Sequence, residues 1–431
     1  MAELIYDETG RLLFTEEMKK EYTIIYPTML PVHFGLMTRV FETEGYKIEM
    51  LTSNHRGIVD EGLKYVHNDT CYPALLVIGQ LIDAVKSGKY DPHKVALLIT
   101  QTGGGCRASN YIHLLRKALE KAGLEYIPVI SLNLSGLEKN PGFKFGIKTL
   151  VKAAFAMMYG DMIVQCANQV RPYEVTKGAT DEMVEQIMQY LLDEMNRGRG
   201  MSFKSMVANF DRIAAQLKSI PVEGGQKVRV GVVGEIYVKY SSLGNNNLED
   251  FLLSEGVEPV VPGLTDFIIF KTYNREVDVN IYGDLWLKKK VCQLLKAFIE
   301  KCQRAMIDAM KRGGFRAPGT FEDLRQLIQG YLGEGNKMGE GWLLTAEMLE
   351  LIHSGVPNIV CTQPFGCLPN HIVGKGMIRR LKDDYPDSNI VAIDYDPGAT
   401  KINQENRIKL MLANARQMAK REKETQETAA V

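Results

Sequence analysis

Residues 95–108 read Val95-Ala96-Leu97-Leu98-Ile99-Thr100-Gln101-Thr102-Gly103-Gly104-Gly105-Cys106-Arg107-Ala108. This stretch begins with a continuous apolar run of the length typical of a strand, and three glycines then mark a turn. The segment from Ala108 to Ala122 has helical periodicity and is followed by Gly123, a common residue just after a helix. The order of strand, turn and helix indicates an α/β protein.

The same alternation extends in both directions from this unit. Strand-like runs are predicted at 22–26, 46–51, 127–132, 227–233, 257–261, 358–361 and 389–393, with helical segments between most of them. We therefore predict an α/β fold of two Rossmann-like lobes with parallel sheets plus a helical insert. The predicted divisions are an N-terminal segment at 1–20, a first α/β lobe at 21–175, a helical connector at 176–225, a second α/β lobe at 226–415 and a polar tail at 416–431.

The composition is that of an ordinary globular protein. The chain has 431 residues, of which 45% are hydrophobic and 24% charged, and this length suits two lobes better than one core. Its 52 basic and 52 acidic residues balance, which argues against broad nucleic-acid binding. The sequence shows no apolar run of the roughly 18–20 residues that a membrane span needs, and Met1 to Gly10 lacks the layout of a signal peptide. We expect a cytoplasmic protein with no membrane partner.

Four of the seven cysteines are expected at one kind of position, near the end of a strand and close to the start of the next helix. They are Cys71 in Asn68-Asp69-Thr70-Cys71-Tyr72-Pro73, Cys106 after the three glycines, Cys361 at the end of the run 358–361, and Cys367 in Pro364-Phe365-Gly366-Cys367-Leu368-Pro369. Open parallel sheets bind ligands at this edge. Helix N-termini offer free N–H groups and partial positive charge, which favour thiolates and anionic clusters. The glycines Gly103, Gly104 and Gly105 would let the backbone approach a ligand closely.

The four cysteines predict a metal centre. An iron–sulfur cluster and zinc are the two candidates, because four thiolates suit both. The step from Cys361 to Cys367 has neither a zinc-ribbon nor a ferredoxin spacing. The remaining cysteines, Cys166, Cys292 and Cys302, lie on predicted helices, and we expect them to be ordinary core or surface thiols.

Three motifs around these cysteines resemble a known family. They are Tyr65-Val66-His67-Asn68-Asp69-Thr70-Cys71-Tyr72-Pro73-Ala74, Thr100-Gln101-Thr102-Gly103-Gly104-Gly105-Cys106-Arg107-Ala108-Ser109-Asn110-Tyr111 and Gln363-Pro364-Phe365-Gly366-Cys367-Leu368-Pro369-Asn370-His371. From about Met18 to Leu412 the chain resembles the acyl-CoA dehydratase activase-related proteins. These are relatives of the 2-hydroxyacyl-CoA dehydratase component and of the double-cubane cluster proteins.

The resemblance implies paired Rossmann-like lobes with a cysteine-held iron–sulfur cluster between them, either [4Fe-4S] or of the double-cubane type. It also implies low-potential electrons supplied by a separate ATP-hydrolysing activase, and a small molecule or acyl-CoA-like compound as substrate. Cys71, Cys106 and Cys367 match the motifs directly, and Cys361 lies shortly before Cys367. A cluster held within one chain and a cluster shared across a homodimer are both compatible with this pattern.

Two polar residues beside the cysteines are candidates for a catalytic role. His371 could donate a proton to a bound substrate, although Asn370 and His371 could instead form a helix-capping pair. Arg107 could tune the charge of a cluster or bind an anionic ligand, or it could simply be solvated. The alternatives to an ATP-dependent redox component are a non-catalytic iron–sulfur carrier, scaffold or relay, and a zinc-stabilised two-lobe binding protein. The sequence has no Gly-x4-Gly-Lys-Ser/Thr loop, so we expect no ATP hydrolysis by this chain itself.

Overall fold

The computed structural model describes residues 2–67, 69–101, 104–132, 138–283 and 286–429. The strands are β1 (Thr23–Tyr26), β2 (Lys47–Met50), β3 (Val95–Thr100), β4 (Val129–Leu132), β5 (Arg229–Gly234), β6 (Glu258–Val260), β7 (Asn358–Pro364) and β8 (Asn389–Tyr395). The helices are α1 (Glu16–Glu21), α2 (Pro31–Thr43), α3 (Arg56–Tyr65), α4 (Tyr72–Lys86), α5 (Tyr111–Ala122), α6 (Ile147–Val170), α7 (Ala179–Asn196), α8 (Phe203–Lys218), α9 (Ile236–Tyr240), α10 (Ser242–Asn245), α11 (Leu248–Ser254), α12 (Leu264–Tyr282), α13 (Trp286–Arg312), α14 (Phe321–Leu327), α15 (Leu343–His353), α16 (Ile378–Asp384) and α17 (Lys401–Ala429).

The strands form two parallel sheets with the same internal order. One sheet runs β2-β1-β3-β4 and the other runs β6-β5-β7-β8. In the first, Leu97 of β3 pairs with Ile25 of β1 and with Val129 of β4. In the second, Val233 of β5 pairs with Cys361 of β7. The predicted α/β fold of two Rossmann-like lobes is thereby confirmed.

A layer of long helices packs beside the sheets and shares one apolar core. Fully buried side chains from five helices meet there, among them Met162, Ile187, Phe210, Phe270 and Met310. The predicted connector at 176–225 contains α7 and α8. The helical layer also contains α6, which precedes that range in sequence, and α12 and α13, which follow it. The sequence reading missed α12, because its apolar residues do not follow a single helical face.

Several element ends differ from the sequence expectation. β7 continues to Pro364, so Cys361 lies inside that strand and not at its end. α17 continues to Ala429, so much of the expected polar tail is helical. One helix is expected from the sequence at 372–383. The structure has instead a π turn at Asn370–Gly374, a 3-10 turn at Lys375–Met377 and then α16.

One apolar helix also departs from expectation. Within the described residues, Ile147–Tyr173 is long and apolar enough to cross a membrane by length and composition, with a mean hydropathy of 1.2 in its best window. Of that window, 56% is buried inside the protein, and a mostly buried core helix passes the same test.

A buried carboxylate, Asp161 on α6, joins three helices. His33 Nε2 on α2 lies 2.8 Å from Asp161 Oδ1. The backbone N–H groups of Leu264 and Thr265, at the start of α12, donate to the same carboxylate at 2.8 and 2.7 Å. Burial alone would raise the pKa of Asp161, but His33 and the α12 donors outweigh it and hold this pKa below its usual value. The charged form of Asp161 therefore stabilises the junction of these helices.

We expect Asp161→Ala to lower the free energy of unfolding by about 3–5 kcal/mol, because it leaves His33 and two N–H groups unpaired in the core. The measurement is urea unfolding followed by circular dichroism. The lowered pKa means that this contribution is present above roughly pH 4 and is lost as the pH falls further, so the difference from wild type should shrink in acid.

The matched control is Asp211→Ala, since Asp211 pairs with Arg312 on the surface at 2.7 Å. Loss of an exposed pair should cost no more than about 1 kcal/mol. Equal losses in the two variants would show that the buried carboxylate has no special structural role.

Candidate functional site

Two cysteines of the first lobe each stand at the start of a helix. Cys71 is the residue before α4, and its Sγ lies 2.8 Å from the hydroxyl oxygen of Tyr111. Cys106 precedes the 3-10 turn Arg107–Asn110, which leads into α5. Both thiols are thus close to backbone N–H groups at helix starts, as expected. The strand-end position expected for Cys71 is wrong, because helix α3 lies between β2 and this residue.

The third cysteine, Cys367, comes from the second lobe in a turn that packs directly on Cys71. β7 ends at Pro364, and Phe365 O accepts a hydrogen bond of 2.9 Å from the backbone N–H of Tyr72. Gly366 approaches so closely that a methyl group on its Cα would lie 3.0 Å from Cys71 Cα. The two lobes therefore meet backbone to backbone at the cysteine turns.

The segment before α15 forms another wall of this cleft. A methyl group on Gly339 would lie 3.0 Å from Pro369 Cγ and 3.9 Å from Cys106 Sγ. A methyl group on Gly105 would lie 2.4 Å from Met338 Sδ. Glycines at these positions let three chain segments close around the thiols. We call the space bounded by Cys71, Cys106 and Cys367 the thiol cleft.

Two carboxylates belong to the thiol cleft as well. Glu235 directly follows β5, and its Oε2 accepts a 3.0 Å hydrogen bond from the backbone N–H of Val238. Glu340 Oε1 accepts a 2.9 Å hydrogen bond from the backbone N–H of Ile236. Both carboxylates are therefore anchored on the start of α9. Burial first, and then the charge of Glu340, raise the pKa of Glu235 well above that of an ordinary carboxyl group.

The thiols themselves are electrostatically disfavoured as thiolates. Burial is the main cause that raises the pKa of Cys106 to about 11, and the negative charges of Glu340 and Glu235 add to it. Burial also raises the pKa of Cys71 and of Cys367, and the carboxylates of Glu340 and Glu235 act on Cys367 in the same direction. Thiolates in this cleft therefore require a compensating cation or metal.

Positive charge is available at the edge of the cleft. The ammonium of Lys271 donates to Gly339 O, and burial is the main cause that lowers the pKa of Lys271. Arg107 is exposed, and its guanidinium donates to Asp69 O at 2.7 Å, which ties the Cys106 turn to the Cys71 loop. The charge of Arg107 also favours the thiolate of Cys71.

Cys361, the fourth predicted ligand, has different surroundings. It is fully buried inside β7, with its Sγ 3.7 Å from Asn370 Oδ1. The charged groups that act on it most strongly are Glu347, Lys375 and Asp394, and none of these acts in the same way on the other three cysteines. The prediction that Cys361 is a ligand stays untested, and its separate surroundings favour a ligand set without it.

The other predicted site residues are placed as follows. Asn370 is buried and donates to Thr362 O at 2.7 Å, so the capping role considered for its side chain is wrong. His371 is exposed, and its backbone N–H donates to Cys367 O at 3.1 Å. Gly104 is exposed, whereas Gly103 lies outside the described residues. Cys166 and Cys302 are buried in the helical core, and Cys292 is partly buried on α13.

Among the residues that the structure describes, no three His, Cys, Asp or Glu side chains lie close enough together to hold a metal ion. No family model matches the chain, and no curated protein matches it in sequence. The geometry and chemistry of the thiol cleft are therefore the features of this chain that bear on its function.

Sequence reasoning found the three cysteines but not their acidic neighbours. Glu235 carried a usable signal, because it lies two residues after the predicted strand 227–233. Glu340 and Lys271 carried none, since one lies in an irregular segment and the other on a helix that was not predicted. Only the packing of the second lobe brings them to Cys106.

Gly366 provides a test of the lobe contact. Its φ is +72°, so Gly366→Ala should cost about 1–2 kcal/mol from backbone strain alone. The added methyl group also meets the backbone of Cys71, which should cost roughly 1–3 kcal/mol more. Thermal unfolding of purified variants measures the sum.

Gly355→Ala is the matched control, because Gly355 has a φ of +76° and no heavy atom within 4 Å of the added methyl group. Gly355→Ala should therefore lose only the stability that backbone strain costs. If both variants lose the same stability, Gly366 is not pressed against the Cys71 loop.

Proposed function

We propose that this chain is an iron–sulfur protein whose cluster is held in the thiol cleft by Cys71, Cys106 and Cys367. The observation that carries the proposal is the convergence of these thiols from both lobes on one cleft, with two of them at helix starts. Free N–H groups there favour thiolates and an anionic cluster. Glu340 is the candidate for a further ligand within the chain, since its charge acts on Cys106 and Cys367.

The resemblance to the dehydratase system is the reason to propose a cluster and not zinc. A single zinc ion needs four ligand atoms at about 2.0–2.3 Å from one point. The described residues contain no such compact group. In a cluster each thiolate binds a different iron atom, so the ligands stand farther apart. A cluster therefore accommodates thiols that come from separate segments of the two lobes, as Cys71, Cys106 and Cys367 do.

The lining of the thiol cleft suits an iron–sulfur cluster. Gly105, Gly339 and Gly366 carry no side chain toward the cysteine segments, and the backbone can therefore approach closely. Lys271 and Arg107 supply positive charge at its edge. A bound cluster would supply electron transfer at a low potential.

The carboxylates supply a proton beside the thiols. Because the pKa of Glu235 is raised by burial and by Glu340, Glu235 holds a proton near neutral pH. A proton held next to an electron donor is what the reduction of a small molecule requires. We therefore propose a small molecule or an acyl-CoA-like compound as substrate, with Glu235 as proton donor. His371 is exposed beside Cys367 and is the second candidate for this role.

The electron source is proposed to be a separate ATP-hydrolysing activase, as the resemblance to the dehydratase system implies. The rim near Cys367 offers a surface for a transient partner. Its exposed apolar side chains are Phe365, Leu368 and Ile372, which are 51%, 66% and 56% exposed. Exposed apolar residues grouped at the mouth of a site are typical of docking surfaces.

Anaerobically purified protein should contain iron and acid-labile sulfide and should be brown. Cys71→Ala, Cys106→Ala and Cys367→Ala should each lose most of both, because each removes one of the converging thiols. Cys361→Ala should keep them, since this thiol lies apart inside β7. Iron and sulfide quantification together with the visible absorption spectrum provide the measurement.

Cys166→Ala and Cys292→Ala serve as controls for a buried and a partly exposed cysteine away from the cleft. Both should retain the cluster. Full iron content in the Cys106→Ala and Cys367→Ala proteins would refute the proposed site. Stoichiometric zinc without sulfide in the wild-type protein would show a zinc centre instead of a cluster.

ATP should be hydrolysed only in the presence of the partner. Purified chain with ATP alone should show no turnover, whereas chain, reductant and an activase of the dehydratase type should hydrolyse ATP and bleach the visible absorption. The Cys106→Ala protein is the control, because it keeps the docking rim but lacks a cluster ligand. Turnover by the chain alone, or equally fast bleaching without the partner, would contradict the assignment of the electron source.

A further inference from the structure

The hydroxyl group of Tyr111 makes a hydrogen bond to one of the thiols that line the thiol cleft. Its oxygen lies 2.8 Å from Cys71 Sγ, and this is the only side-chain hydrogen bond to a thiol of the cleft among the residues that the structure describes. Tyr111 is the first residue of α5 and is 9% exposed. Its ring packs in an apolar core that also contains Ile112 and Leu115. That core therefore fixes the position of the hydroxyl group.

This hydrogen bond has one possible direction when Cys71 binds a metal. A metal-bound cysteine sulfur has lost its proton, so it can only accept a hydrogen bond. A tyrosine hydroxyl ordinarily keeps its proton up to about pH 10. Burial first, and then the negative charges of Cys71 and Glu235, raise the pKa of Tyr111 well above that value. Tyr111 therefore donates its O–H to the sulfur of a metal-bound Cys71.

The three thiols of the cleft differ in the donors that surround them. Burial raises the pKa of each thiol, and one backbone N–H of the turn that follows opposes this effect, namely that of Ala74 for Cys71, Ala108 for Cys106 and Asn370 for Cys367. Cys71 has the hydroxyl group of Tyr111 in addition. Negative charge on a thiolate of the cleft is therefore stabilised most at Cys71.

The donor to Cys71 comes from the segment of another cysteine of the cleft. Tyr111 lies shortly after Cys106 in the chain. From the same segment, the guanidinium of Arg107 donates to Asp69 O in the loop before Cys71. Two side chains of the Cys106 segment thus hold the Cys71 loop, so the hydrogen bond depends on the packing that brings both thiols to one cleft.

We propose that Tyr111 raises the reduction potential of the cluster by donating this hydrogen bond to Cys71, an inference that rests on the function proposed above. Hydrogen bonds to the sulfur atoms around a cluster are among the factors that set its potential. Reduction adds negative charge to the cluster and its thiolates, so a donor stabilises the reduced state more than the oxidised state. Tyr111 thereby lowers the driving force that an ATP-hydrolysing partner must supply. It acts through Cys71 and is a positioning residue.

The test is a redox titration of the anaerobically purified full chain, in which electron paramagnetic resonance measures the reduced cluster. Tyr111→Phe removes the hydroxyl group and keeps the ring, so this variant should retain the iron and sulfide of wild type. Its redox equilibrium should shift about tenfold toward the oxidised cluster, which is a midpoint potential about 59 mV lower for a one-electron couple. Tyr111→Leu also removes the hydroxyl group and should shift the potential in the same direction.

Tyr159→Phe is the matched control for the loss of a buried tyrosine hydroxyl. Tyr159 is fully buried in the helical core, and its hydroxyl group donates to Gly200 O at 2.7 Å. This variant should lose stability without a change in the midpoint potential. A purely structural role of Tyr111 would give the same result as this control.

The outcomes separate the role of Tyr111 from the function on which it rests. Wild-type protein without iron and sulfide would overturn both. A wild-type cluster whose potential is unchanged in Tyr111→Phe and Tyr111→Leu would overturn only the role of Tyr111. Equal shifts in Tyr111→Phe and Tyr159→Phe would do the same. Loss of iron from Tyr111→Phe as complete as that from Cys71→Ala would also overturn it, because Tyr111 would then be needed to hold the cluster.

Discussion

Parallel pairing of the strands is the constraint from which the rest of this structure follows. In a parallel sheet every strand ends at the same edge, so the loops that follow the strands are gathered there. Both lobes have this form, with equivalent strand orders. The loops after β3, β5 and β7 meet where the lobes join, and the hydrogen bond from Tyr72 to Phe365 connects the two backbones at that point. Residues far apart in sequence share one cleft for this reason.

The thiol cleft gathers several groups that become negatively charged when they lose a proton, and this is unfavourable without a bound metal centre. Glu340 stands beside these groups, and burial raises the pKa of Cys71, Cys106, Cys367 and Glu235. For stability alone, apolar side chains at these positions would be more favourable. Perturbed groups gathered in a cleft are typical of functional sites. The positively charged core of a bound metal centre would offset this penalty, since it stabilises the thiolates that burial disfavours.

Much of this architecture could be predicted from short-range patterns. The run Val95–Thr100 is a strand with the predicted bounds, and the glycine after Ala122 ends α5 in the left-handed conformation. The strand and the end of the helix depend on residues that are neighbours in the chain, so both can be predicted from the local sequence. α12 was not predicted, because its buried side chains contact several elements and leave no single apolar face. β7 continues beyond Cys361 to Pro364 because it pairs with β8 over its whole length. No local sequence pattern predicts this pairing.

The sequence alone determined the α/β class, the two lobes and the three cysteine turns, since strand and helix periods and glycine positions are local properties. It could not decide which of its seven cysteines meet. Cys361 and Cys367 are close in the chain, yet the first is enclosed within a sheet and the second faces the other lobe. Only the tertiary structure added Glu235, Glu340 and Lys271 to the thiols. Proximity between distant segments depends on how whole lobes pack, and that packing is the sum of many small contacts that no single stretch of sequence encodes.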